Sequence, residues 1–272
     1  MDTTVGSIKS QLERPQTEKF AWPIVLLPDL FGTNKHLSLL SGYLATIGWT
    51  VYVPDIYAAA ATTVAPRQPN FANLLALTQE LLRDLDGEAI VAGHGVGGLI
   101  ALKIAETPGV RAGVASAPAV PGFRTPLFAG LRNRIALWTG NTIRPPSGRI
   151  LFELVADADS FQRPQLIDAM VPASAPIAND IIRGEIQFAV SDTFAPRLIV
   201  VGGSDIFSPL DRVEPFATAI GAKLATLEGR GHWIIGGRAL ERTIAETQRF
   251  LVRSLGAQLL LLYDDHSREN DP

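Results

Sequence analysis

Six short, nearly all-apolar runs punctuate this chain, and each empties into small or polar residues: 23–27 (PIVLL), 50–55 (TVYVPD), 88–93 (EAIVAG), 110–116 (VRAGVAS), 197–203 (RLIVVGG) and 222–227 (AKLATL). A run with no polar face must be covered on both sides, which is the position of strands inside a parallel sheet rather than on its wet surface. Helix-length stretches separate most of them. Residues 35–47, 96–106, 209–219 and 238–255 read as helices, and Phe71, Leu74, Leu75, Leu81, Leu82 and Leu85 recur at helical spacing. The alternation predicts an α/β fold: a mostly parallel central sheet, right-handed crossovers, and helices on both faces.

One stretch breaks the rhythm. Between the runs near 116 and 197 lie about 80 residues rich in Pro, Arg and helix-compatible apolar positions, too many for a structureless loop. An inserted helical cap over the carboxyl ends of the strands, where open α/β sheets bind ligands, is the expectation. The divisions are a first core segment at 20–120, a cap at 121–192, a second core segment at 193–256, and a polar tail at 257–272. A chain of 272 residues with 47% hydrophobic residues suffices for one such domain. With 24 Lys and Arg against 27 Asp and Glu, it has no basic excess to bind a phosphate backbone, so nucleic acid is not an expected partner. No apolar run approaches the roughly 20 residues that span a bilayer, and the first residues are polar where a signal peptide is apolar. A soluble, cytoplasmic protein acting on a small molecule is expected, with its oligomeric state open. The absence of cysteine removes any thiolate nucleophile or thiolate metal site.

Gly93-His94-Gly95-Val96-Gly97-Gly98 joins an expected strand to an expected helix. Small residues there permit a sharp turn and close packing, and the helix start offers unpaired N–H groups to negative charge. This segment resembles the nucleophile elbow of the α/β-hydrolase superfamily, whose G-x-S-x-G motif has serine where Gly95 stands. The resemblance extends along most of the chain. GGSDIFSP (202–209) is similar to the acid loop and implies Asp205 as triad acid, and GRGHW (229–233) is similar to the histidine loop and implies His232 as base. Their order after the elbow is the family's. LLPDLFGT (26–33) stands in the place of the oxyanion loop, implying the backbone N–H groups of Leu30 and Val96 as oxyanion donors. That segment looks closest to the dienelactone-hydrolase branch, which implies an acidic residue, Asp29, beside the nucleophile position.

Glycine has no atom with which to attack a carbonyl, so an acyl-enzyme at position 95 is excluded. Ser116, Ser204 and Ser208 sit on strand-end loops, not on an elbow. The expected pocket is therefore acid–base: His232, oriented by Asp205, facing Asp29 across a gap opened by Gly95. Simpler roles compete: Asp205 as a helix cap, Asp29 in an Asx-turn, and His94 in packing. His36 is expected on a helix surface and His266 in the tail, and the four histidines show no metal-ligand spacing. Gly97 and Gly98 are expected to serve close packing, and no P-loop or dinucleotide fingerprint is present, so neither metal nor cofactor is expected. Phe31, Phe123, Phe128, Trp138 and Trp233 are the candidates for lining a substrate cavity, although cap aromatics, Phe152 among them, also serve as cap core. Arg124, Arg132, Arg134 and Arg144 are expected to be solvated.

The leading expectation is a cofactor-independent enzyme performing elimination, cyclisation, isomerisation or carbon–carbon cleavage on a small apolar carbonyl compound. Three alternatives stay open: a water-based ester or lactone hydrolase, a non-catalytic ligand- or partner-binding protein, and a serine hydrolase whose serine was replaced by glycine.

Overall fold

The computed structural model describes residues 1–85 and 87–261. His266 and the polar stretch from 264 onward, which includes most of the expected tail, lie outside the described residues.

All six expected strands form. They are β3 (Ile24–Leu27), β4 (Val51–Pro54), β5 (Ala89–His94), β6 (Val110–Ser116), β9 (Arg197–Gly202) and β10 (Lys223–Leu227), mutually parallel in the order β4-β3-β5-β6-β9-β10. β3, β5 and β9 are buried at every position, as continuous apolar runs require. Helices α1 (Asn34–Thr46), α3 (Phe71–Asp84), α4 (Val96–Ile104), α9 (Leu210–Ala219) and α10 (Leu240–Leu255) follow the sequence pattern to within a few residues. Reciprocal side-chain caps start two of them: Asn70 with Asn73 on α3, and Thr33 with His36 on α1. The second corrects the expectation for His36, which is not a surface residue but 6% exposed, its Nε2 2.9 Å from the Leu166 carbonyl oxygen of the cap.

Three elements depart from the sequence reading. The sheet begins before residue 20: β1 (Asp2–Val5) and β2 (Ile8–Glu13) form a hairpin, and β2 pairs antiparallel with β4. Its residues alternate between core and solvent, so half of a polar-looking stretch is inward-facing. Helix α2 (Ile56–Val64) fills what reads as a loop after β4, capped by the Asp55 side chain. The cap holds helices α5 (Leu131–Thr139), α6 (Gly148–Leu154), α7 (Gln162–Asp168) and α8 (Ala175–Ile182), as expected, and also a pair of two-residue strands, β7 (Thr142–Ile143) and β8 (Ala173–Ser174). No helix among the described residues is long and apolar enough to cross a membrane.

The cap is fastened to the loops that will carry the site. The Val171 N–H donates to the Phe31 carbonyl at 3.1 Å, and the Gly231 N–H donates to Asp157 Oδ2 at 2.5 Å. Asp180 on α8 accepts the first N–H of α3 at 3.0 Å.

Candidate active site

Four strand ends meet beneath the cap. β3 delivers Asp29, the β5–α4 turn delivers Gly95, and the loops after β9 and β10 deliver Asp205 and His232. The turn at Gly95 has φ +55° and ψ −117°, a conformation that L side chains rarely adopt. Close approach of α4 to the sheet makes the turn tight. A Cβ on Gly97 would collide with the carbonyl oxygen of Leu27, which fits the close-packing role expected of it.

His232 is 3% exposed, with Nδ1 2.9 Å from Asp205 Oδ2. The other oxygen of Asp205, Oδ1, accepts the N–H groups of Phe207 at 2.7 Å and Ser208 at 3.1 Å. Asp205 thus caps its own loop with one oxygen and orients the imidazole with the other. On the far side of the ring, His232 Nε2 lies 3.7 Å from Asp29 Oδ2, too long for a hydrogen bond.

The space beside Gly95 is not a gap. The Asp29 carboxylate fills it: a Cβ on Gly95 would collide with the carboxyl carbon and Oδ1 and come within 2.7 Å of Oδ2. Asp29 Oδ1 accepts the Val96 N–H at 2.8 Å, the first free N–H of α4. Val96 therefore is not an open oxyanion donor, because its N–H already holds a carboxylate. The Leu30 N–H, on a residue 2% exposed, has no hydrogen-bond partner among the described residues. The Asx-turn anticipated as a simpler role for Asp29 is absent; the Gly32 N–H bonds the Asp29 backbone carbonyl instead.

Charge in the site alternates. Burial alone would depress the His232 imidazole, but the Asp205 charge and hydrogen bond, helped by Asp29, lift it to about 10. Burial alone would raise Asp29, but the approach of His232, then the fields of the His94 and His232 rings and last the Val96 N–H bring it down to about 2. Asp205 likewise resists burial and is held below the usual carboxylate range by His232. At neutral pH an imidazolium sits between two carboxylates. His94, 1% exposed, points its Nε2 at the His232 carbonyl oxygen at 3.0 Å. Its ring packs edge-on against those of His232 and Trp233. Burial and the His232 charge depress it to about 4, so it is neutral.

Val120, Phe123, Leu127, Phe128, Ile181 and Phe207 wall the cleft above Asp29 and His232, with Thr125 and Ser208 as polar atoms at its edge. The space open to the centre of a water molecule is about 20 Å³, room for one water. Among the expected lining residues, Phe123 and Phe128 stand in this wall. Phe31 and Trp233 instead bound a second small space on the other side of Asp29, next to His94. Trp138 is 87% exposed on α5 and stands in the wall of neither space. Phe152 is 60% exposed, so it is not cap core. Arg124, Arg132, Arg134 and Arg144 are exposed, as expected. Ser208 donates its hydroxyl to the carbonyls of Ala117 and Pro118 and has no proton-accepting partner that would make it a nucleophile.

Two positioning residues have no sequence signal. Tyr57 on α2 donates its hydroxyl to the Pro28 carbonyl at 3.1 Å and so pins the loop that carries Asp29. Asp157 of the cap, 7% exposed, holds the Gly231 N–H next to His232. Neither belongs to a local motif, because each acts on a segment remote in sequence.

Comparison with known proteins agrees with this architecture. No curated protein matches the sequence. Among solved structures, the monoacylglycerol lipase of Paleococcus ferrophilus superposes with a TM-score of 0.69 at 16% identity, over 91% of this chain and 99% of that one. A thermophilic esterase from Thermogutta terrifontis gives 0.65 at 18% identity over 93% and 97%. A soluble variant of monoglyceride lipase from Saccharomyces cerevisiae gives 0.69 at 16% identity over 93% and 94%. At these identities the likeness is one of fold. Residues 21–246 match the family described as the alpha/beta hydrolase family, a span covering most of the sheet, the elbow, both loops and the cap, and the chain belongs to that family.

Proposed function

We propose that this chain is an enzyme that moves protons on a small, largely apolar carbonyl compound, using Asp29 and His232 as a paired base and acid, with Asp205 orienting the imidazole. The family supports a small-molecule substrate. The observation that carries the reading is the carboxylate seated against Gly95: the position that would bear a nucleophilic side chain is filled by a group suited to accept a proton.

The chemistry follows from the charges. Asp29 Oδ2 is a carboxylate oxygen and His232 Nε2 carries a proton, and they lie 3.7 Å apart with no hydrogen bond between them. Once the cap opens the one-water space above the pair, a carbonyl oxygen at Nε2 would bring its α-carbon within reach of Oδ2. Oδ2 takes the α-proton, the C–H electron pair shifts into the carbon–carbon bond, and the carbonyl oxygen takes the Nε2 proton to give an enol. Reprotonation at another carbon is isomerisation; loss of a β-substituent is elimination. A carboxylate held at about 2 is a weak base at rest, but its low value depends in part on the neighbouring imidazolium. As His232 gives up its proton that charge vanishes, and burial then makes Asp29 a stronger base. Acid and base are thereby coupled within one step.

Acyl transfer is the less favoured reading, because Gly95 supplies no nucleophile and Asp29 occupies the Val96 N–H that a tetrahedral oxyanion needs. The test is solvent-deuterium exchange at the α-carbon of a panel of small apolar ketones and unsaturated esters, followed by NMR. Exchange above the uncatalysed rate is expected for the wild type, and its loss is expected in Asp29→Asn and His232→Gln. Exchange that survives both substitutions, or ester hydrolysis with solvent oxygen incorporation and no exchange, would overturn the reading.

A further inference from the structure

The same pocket brings His94, which proton transfer does not use, up to the Asp29–His232 pair. Asp29, His94 and His232 each present a ligand atom within 4.8 Å of the others. Two imidazole nitrogens in this group, His94 Nδ1 and His232 Nε2, are buried and have no hydrogen-bond partner. Buried ring nitrogens are normally satisfied, and two orphans beside a carboxylate are a ligand set that needs an occupant. The remaining ring nitrogens are held: His94 Nε2 faces the His232 carbonyl oxygen at 3.0 Å, and His232 Nδ1 faces Asp205 Oδ2 at 2.9 Å. A ligating histidine characteristically has its second nitrogen tied to a carbonyl or carboxylate in this way, which fixes the ring and raises its basicity.

We infer that Asp29, His94 and His232 form a binding site for a divalent first-row transition metal, with zinc the ion whose chemistry fits best. Two imidazoles and one carboxylate, with a fourth position facing a cavity, are the donor set of open tetrahedral zinc sites. Bonds of about 2.1 Å place tetrahedral donors roughly 3.4 Å apart, so the ion draws the three side chains together by about an ångström. Two small spaces of about 20 Å³ flank the cluster, one bounded by Asp29 and His94 and the other by Asp29 and His232, with Asp29 between them. Asp29 beside the two imidazoles, and Asp205 behind one of them, supply two carboxylates that a divalent cation balances.

The site stands on its own geometry and does not rest on the proposed reaction. Ion and shared proton exclude one another, so the metal-bound form is expected to be silent in the exchange assay.

The test uses the full chain, dialysed against a chelator and titrated with Co²⁺ or Zn²⁺ alone. Expected are visible d–d absorption of a four-coordinate Co²⁺ site and, by calorimetry with Zn²⁺, saturable binding of one ion per chain. Asp29→Asn and His94→Gln should each weaken binding by more than about 100-fold, beyond the 10- to 100-fold typical of losing an outer hydrogen-bond partner. Asp205→Asn should fall within that smaller range. Should His94→Gln fail to fold, Asp29→Asn carries the test. No spectral change or heat with either ion at millimolar concentration, or binding indifferent to residue 29, overturns the site; neither result bears on proton exchange by the metal-free protein.

Discussion

Gly95 and Asp29 compete for one volume, and the competition has a measurable size. In Gly95→Ala the new Cβ meets the Asp29 carboxyl group, and all three of its nearest neighbours are carboxylate atoms. Two costs follow. The backbone at φ +55° becomes strained, about 1–3 kcal/mol for a non-glycine residue in a sparsely populated region. The carboxylate is also pushed off the Val96 N–H, and losing a charge-assisted hydrogen bond costs roughly another 1.5–3 kcal/mol. The single substitution should therefore destabilise by about 3–6 kcal/mol. In an Asp29→Ala background the clashing atoms are gone and only the backbone cost of about 1–3 kcal/mol remains. The double-mutant cycle should give a coupling of about 2 kcal/mol, in the range for residues in direct contact. Urea unfolding of the four proteins, followed by circular dichroism, measures it. If Gly95→Ala costs the same in both backgrounds to within about 0.5 kcal/mol, the carboxylate does not occupy that volume and the account of the site fails.

Two further outcomes follow from the same charges and contacts. The His232 contribution to stability is fully present below 6.5 and is lost as pH rises through about 10; that of Asp29 is present above 3.8 and lost as pH falls through about 2. His94, at about 4 in the fold, subtracts stability as pH drops below 6.5, so unfolding free energy should peak near pH 6–7 and decline toward 10, with the alkaline decline absent in His232→Gln. A flat wild-type profile on the alkaline side would contradict the clamped imidazolium. Gly95→Ser alone should show negligible hydrolysis of an activated ester, since Asp29 still holds the Val96 N–H, whereas Gly95→Ser with Asp29→Gly should gain at least about 100-fold by joining a serine to His232 and Asp205 with the oxyanion donor free. Equal activity in the two variants would show that Asp29 does not obstruct acyl chemistry.

The parts of this molecule that were legible in its sequence are those in which one local pattern sets the structure. A run such as IVLL is apolar at every position because both faces of β3 are covered, so neighbouring residues suffice to identify it. The hairpin strand IKSQLE gives no such run because only its alternate residues face inward, and the strands β7 and β8 are too short for any period to register. Asp205 and His232 stood out through glycine-rich loops that their strand ends require. Asp157 and Tyr57 did not, since the first grips a loop 74 positions away and the second a carbonyl 29 positions away. The metal-like cluster was hidden for the same reason: ligand spacing along the chain says nothing when three separate loops converge.

The glycine at 95 shows how a sequence can misreport a site while naming the residues at its centre. Read along the chain, the position is a loss, one side chain fewer in a familiar motif. In space the position is filled by Asp29, whose carboxylate reaches the N–H of Val96 across 67 positions of chain. A site that merely decayed would leave a cavity there or let another apolar group collapse into it, because nothing would favour burying a second carboxylate. Here the second carboxylate is held by a helix N-terminus and an imidazolium, and its removal would leave that imidazolium with a single partner. The glycine at 95 and the carboxylate at 29 are therefore one structural feature, each occupying the space the other leaves.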